Sequence, residues 1–144
     1  MKKILFTLFA MVCCMTASAH IFDGIDLNAN RIQVMREISV KGYVYDQTRE
    51  CLKGVCQGTE IYLSFNLEDT KDKNKIGQLI VEVPMKNATS FEDVAMMFNV
   101  IYHQTAKGDN SYTYAVDTDG TTLEVIKTAE GVKLCYNTPY YQKK

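Results

Sequence analysis

The stretch Ser90-Phe-Glu-Asp-Val-Ala-Met-Met-Phe-Asn-Val-Ile-Tyr-His-Gln104 carries the strongest helical signal in the chain. Phe91, Val94, Ala95, Phe98, Ile101 and Tyr102 recur at helical spacing and form one apolar face. Ser90 suits an N-cap, and Glu92 and Asp93 fall in the first turn, where the helix dipole favours anions. Met96, Met97 and Val100 extend the apolar surface around most of the girth. The expectation is one central helix over 90–104, covered on nearly all sides by strands.

Outward from this helix the sequence alternates. Just before it, Gln78 to Val83 places Leu79, Val81 and Val83 on one side, and Pro84 ends the run because proline cannot donate to a ladder. Glu60 to Leu67 is the cleanest strand pattern, with Ile61, Leu63, Phe65 and Leu67 inward. The longest alternation runs from Ile32 to Asp46, with Ile32, Val34, Ile38, Val40 and Val44 on one side. Arg36 interrupts that face and Gly42 permits a bulge or bend, so the stretch reads as a long strand. His20 to Leu27 reads as a short first strand or arm.

Beyond the helix, Tyr112, Tyr114 and Val116 share a face, and Asp119-Gly120 signals a hairpin into Thr121 to Lys127. Glu130-Gly131 turns the chain again into Val132 to Tyr136. The charged run over 68–75 and the tail from Asn137 read as loose segments.

Size then decides the architecture. A helix of about fourteen residues is only ~21 Å long and ~10 Å wide, and strands spaced at roughly 4.8 Å soon outgrow it. The expected fold class is therefore α+β. A curved antiparallel sheet of about six to seven strands, a roll or partial barrel, packs around one central helix.

Residues 1–19 read as a signal peptide. Lys2 and Lys3 open it, Ile4 to Met15 is apolar, and Ala17-Ser18-Ala19 gives the small-x-small pattern of a cleavage site after Ala19. The apolar run is too short for a membrane span, and no later stretch approaches that length. Cys13 and Cys14 pose the question of a lipid anchor, but Ala10-Met11-Val12 lacks the small residue that precedes a lipidated cysteine. The expectation is export to the periplasm or beyond, with 20–144 as a single domain.

Removal of 1–19 takes Lys2 and Lys3, so 14 Lys and Arg face 17 Asp and Glu, a formal charge of −3 on 125 residues. No basic cluster marks a nucleic-acid surface. The expected partner is a protein, peptide or carbohydrate.

Three cysteines remain after residue 19: Cys51, Cys56 and Cys135. In Cys51-Leu-Lys-Gly-Val-Cys56 a turn at Lys53-Gly54 would bring the cysteines opposite one another, and export permits a disulfide there. The five-residue separation departs from the spacing of redox-active pairs, and no histidine lies near enough to complete a zinc site. Cys135 is an odd thiol, out of phase with the inward residues of its strand. It reads as a small buried filler or as a partner for another thiol.

Other signals are thinner. His20, exposed as a new N-terminus by cleavage after Ala19, would hold copper through its amine and ring, with His103 as a second imidazole. As the bland alternative, His103 ends the helix, where its positive form suits the dipole. Asp117-Thr-Asp119-Gly120-Thr121 begins like a calcium loop but lacks the remaining ligands, so it reads as a hairpin turn. Asn87-Ala-Thr89 reads as a loop leading into the helix rather than a glycosylation acceptor. Tyr43, Tyr45 and Tyr62 lie at outward positions and would form an aromatic patch for a sugar or peptide if their strands are neighbours.

Nucleophile elbows, paired-histidine metal motifs and phosphate-cradling glycine loops are absent from the sequence. The functional expectation is a small exported binding or interaction protein without catalysis or cofactor. The alternatives are a disulfide-stapled inhibitor or structural envelope protein, and a copper protein or small enzyme using His20 and His103.

Overall fold

The computed structural model describes residues 21–56, 58–84 and 91–143. Ile21–Phe22 (β1) and Ile25–Asp26 (β2) form a small hairpin whose turn, Asp23-Gly24, has positive φ at both residues, 50° and 78°. That geometry suits the right-handed twist of a two-residue hairpin and explains the glycine. Arg31–Val40 (α1) follows, then Val44–Asp46 (β3), Cys51–Cys56 (β4), Thr59–Asn66 (β5) and Gln78–Pro84 (β6). Phe91–Ile101 (α2) leads into His103–Lys107 (β7), Ser111–Ala115 (β8), Thr122–Lys127 (β9) and Gly131–Asn137 (β10).

The last eight strands make one antiparallel sheet in the order β3-β4-β5-β6-β10-β9-β8-β7. The protein is thus sheet-rich α+β, with two short helices. The expected arrangement of six to seven strands around one central helix is corrected on both counts.

The second helix is the stretch from residue 31 that alternation marks as a strand. Ile32 and Val40 are 71% and 82% exposed, whereas Val34 and Ile38, four residues apart, are buried. A four-residue step is compatible with both a two-residue period and a helical turn, so Val34 and Ile38 alone do not distinguish them. The ends do. Asn30 stands at the N-cap with extended backbone, and Gly42, with φ of +95°, takes the left-handed conformation that stops the helix. Arg31 secures the start: its backbone N–H donates to Asn74 O, and its guanidinium donates to the carbonyls of Leu67 and Lys75.

Register puts Ile61, Leu63, Leu79, Val81, Leu134, Tyr136, Leu123, Val125 and Tyr114 on one face of the sheet. These residues join Val34 and Ile38 of α1 and Phe91 and Phe98 of α2 in a single buried cluster, so both helices share that face. The Tyr114 hydroxyl donates to Ala95 O at 3.1 Å, tying α2 to β8. Ring centroids lie 5.2 Å apart for Phe91–Tyr112 and 5.8 Å apart for Phe98–Tyr114. Contrary to expectation, α2 is not covered all round. Met96 and Val100 project to solvent, and His103 opens β7 rather than ending the helix.

The charged loop over 68–75 and the C-terminal tail are held to each other and to α1, not loose. Lys75 Nζ donates to Asn28 O, Lys71 N to Tyr140 O and Gln142 N to Asp69 O. The buried Thr138 hydroxyl sits 2.6 Å from Ile76 O. The turn at Asp119-Gly120 is present, but as a four-residue loop: Val116 N donates to Thr121 O, and Asp119 Oδ1 accepts from the backbone and hydroxyl of Thr121.

Candidate functional site

The face of the sheet opposite the helices carries the side chains that alternate away from the core. One row across it runs Val44, Lys53, Tyr62, Glu82, Lys133 and Ile126, each directly opposite the next on the neighbouring strand. Polar chemistry concentrates where this row meets two turns. In the β3–β4 turn, Asp46 Oδ1 accepts from the backbone N–H groups of Thr48 and Arg49, which fixes the backbone that carries the arginine. The Arg49 guanidinium then lies 4.1 Å from the centroid of the Tyr62 ring, and its Nη1 donates to Glu130 Oε2 at 3.2 Å. Glu130 belongs to the β9–β10 turn, closed by Gly131 N donating to Thr128 Oγ1.

These elements enclose a cleft of about 310 Å³ at the end of the β6–β10 ladder, lined among others by Arg49, Glu82, Pro84, Thr128, Ala129 and Glu130. Desolvation opposes the charge on Arg49, but Tyr62, Glu130 and Glu82 outweigh it and hold the guanidinium above its ordinary pKa. Glu130 occupies one of five guanidinium donors, and the Arg49 side chain makes no other hydrogen bond among the described residues. Glu82 is half-buried, and its side chain makes neither a hydrogen bond nor a close ion pair among the described residues, although its charge acts on Arg49.

Beside the cleft, the Tyr62 hydroxyl donates to Glu60 at 2.7 Å, and Lys53 Nζ lies 3.6 Å from the same carboxylate. The Tyr62 bond, followed by Lys53, holds Glu60 below the usual carboxylate range. Tyr62 is raised in turn, chiefly by that bond.

The structure disperses the residues singled out from sequence. Tyr43 and Tyr62 are buried, and only Tyr45, 63% exposed, faces solvent, so the aromatic patch is corrected. Tyr62 is roofed by Arg49. Tyr43 sits on the core side, its ring against Gly54 and its hydroxyl 3.1 Å from Asp23. Burial, with Cys56 and Asp23 close by, pushes its phenol far above the ordinary value.

The expected Cys51–Cys56 bridge is likewise absent, and no disulfide joins Cys51, Cys56 or Cys135 among the described residues. Lys53-Gly54 is not a turn: β4 runs unbroken from Cys51 to Cys56, and five extended residues span ~16 Å, far beyond disulfide reach. Gly54 is explained by the Tyr43 ring, which lies where a side chain would stand. Cys135 is buried on the face away from the helices, opposite Ile80 and Glu124, and burial pushes its thiol up to about 11. Burial also raises Cys51.

His103 lies exposed on the edge strand β7. His20, Cys13, Cys14, Asn87 and the cleavage site after Ala19 lie outside the described residues. Among the described residues no group of three or more His, Cys, Asp or Glu could hold a metal ion. No helix among them is long and apolar enough to cross a membrane.

Arg49, Glu82 and Glu130 come from three separate segments, and nothing in their local sequence pairs them. The one legible signal is the outward position of Glu82 in the β6 alternation. No protein-family model, curated protein or solved structure matches this chain.

Proposed function

We propose that this is a small exported binding protein that holds a polar small molecule in the Arg49–Glu82–Glu130 cleft without transforming it. The observation that carries the reading is Glu82: a half-buried carboxylate whose side chain makes no hydrogen bond among the described residues, on the wall of a 310 Å³ cleft that also presents a fixed guanidinium. That volume lies at the small end of ligand sites, where a few convergent polar groups set orientation.

The test is a titration of the ¹⁵N-labelled protein with separate pools of amino acids, sugars, carboxylic acids and amines, followed by two-dimensional NMR. The expected result is saturable shifts confined to the segments around Arg49, 82–84 and 128–132, with the responding compound recovered unchanged. Shifts from no pool, or shifts scattered over the surface, overturn it. Export is tested by the intact mass of protein recovered from its host, which is expected to begin at His20.

A second reading places a protein partner at β3. This short strand forms an open sheet edge with Val44 and Tyr45 both exposed, the geometry that accepts an added strand. Loss of partner capture on Val44→Pro, with capture unaffected by Arg49→Ala, would favour it over the cleft.

A further inference from the structure

We infer that the cleft is built for a zwitterion, a free amino acid or the end of a short peptide, with the ligand carboxylate on Arg49 and its ammonium on Glu82. This rests on the binding reading above and adds the ligand class. The argument starts from charge. Arg49 is the single cation of the described lining, set against the two carboxylates Glu82 and Glu130. A simple anion would meet Glu82 and Glu130, two carboxylates against one guanidinium, and a simple cation would meet the guanidinium. A ligand carrying both charges a short distance apart meets neither repulsion.

The guanidinium is pre-organised. Tyr62 supports its face, Asp46 fixes its backbone, and Glu130 takes one edge, so the remaining N–H groups are left to form a fork for a carboxylate. Glu82 projects from a central strand, flanked by β5 and β10, and so offers its acceptor from a rigid position. Between them Pro84 and Ala129 supply apolar lining for the carbon skeleton. The cleft volume of about 310 Å³ accommodates one amino acid with a side chain rather than an extended oligomer.

The experiment compares three probes of one skeleton: L-leucine, 4-methylpentanoate, which lacks the amine, and 3-methylbutylamine, which lacks the carboxylate. Each is titrated into the full protein by NMR and calorimetry. The expected result is saturable leucine binding, with each truncated probe weaker by about tenfold or more. Arg49→Ala should remove leucine binding and Glu82→Gln should weaken it by a similar factor, with the dispersion of both variant spectra showing that they remain folded. Equal binding of the amine alone or of the carboxylate alone overturns the zwitterion and leaves a binding cleft in place. Leucine binding that survives both substitutions overturns the assignment to this cleft. Failure of all three probes while another pool compound shifts the cleft overturns the ligand class alone, and silence from every compound overturns the cleft as a site.

Discussion

The two faces of the eight-stranded sheet are built on different physics. On one, aromatic rings and aliphatic side chains from five strands meet Val34 and Ile38 of α1 and Phe91 and Phe98 of α2 in a continuous dry cluster. On the other no described helix lies, and long charged side chains do the covering: Arg49 roofs Tyr62, Lys53 approaches Glu60, and Glu82 faces the cleft. The helix-covered face supplies stability through area removed from water. The bare face has little such area to give, so its fixed polar groups are free to be arranged for recognition. Substitutions on the two faces should therefore separate stability from binding.

The largest expected effect lies under α2. Phe98 is fully buried between Tyr102 and Tyr114, and Phe98→Ala should cost about 3–5 kcal/mol, read from denaturant midpoints with an unchanged slope. A loss below about 1 kcal/mol would mean that α2 does not hold the core and would collapse the distinction between faces.

Next is Gly54, where the comparison turns on a single atom. A methyl there runs into the Tyr43 ring, and Tyr43 is itself tied to Asp23 of the β1–β2 hairpin. Gly54→Ala should cost roughly 1–3 kcal/mol through overpacking, whereas Val55→Ala, one residue on and pointing to solvent, should change stability by less than about 0.5 kcal/mol. Thermal melts of the two variants give the contrast directly.

Alkaline pH sharpens it further, because each face holds a neutral acid in place. Burial raises the Cys135 thiol from 9.0 to about 11 on the bare face, and the Tyr114 phenol from 10.0 to about 12 under α2. Below about pH 9 both groups keep their protons whether folded or unfolded, so this stabilisation is complete. Above it the unfolded chain loses protons first, and stability should fall as pH rises from 9 to about 12. Cys135→Ala should lessen the loss that begins near pH 9 and leave the tyrosine part, which begins near 10, measured as melting temperature against pH.

How much of this was legible in the sequence follows from what each feature depends on. β5, β6, β9 and β10 were readable because their alternation records burial on one face, and α2 because Phe91, Ala95 and Phe98 fall on one side of a helix. α1 was misread because Ile32 and Val40, which complete the strand pattern, are exposed, while the real stop signal, Gly42, also suits a bulge. The burial of α2 was overestimated for a related reason: Met96 and Val100 are apolar without being covered. Gly54 looked like a turn because glycine is permissive, whereas its role depends on Tyr43, brought over it by tertiary structure. The cleft was invisible because its charges come from two turns and a strand joined only by the sheet order β3-β4-β5-β6-β10-β9.

The smallest expected effect on stability is also the most informative about the bare face. Arg49 and Glu130 form an ion pair between side chains that are 35% and 69% exposed, and pairs of that kind contribute only about 0.2–1 kcal/mol because water and salt screen them. A double-mutant cycle of Arg49→Ala and Glu130→Ala should return a coupling in that range, falling further in high salt. Arg49→Ala should cost somewhat more than Glu130→Ala, since it also uncovers the Tyr62 ring. A coupling near zero with ligand binding abolished only by Arg49→Ala would show that Glu130 steers the guanidinium without anchoring it. A coupling well above about 1 kcal/mol would instead make the pair a structural clamp between the two turns, and the bare face would then share in holding the fold.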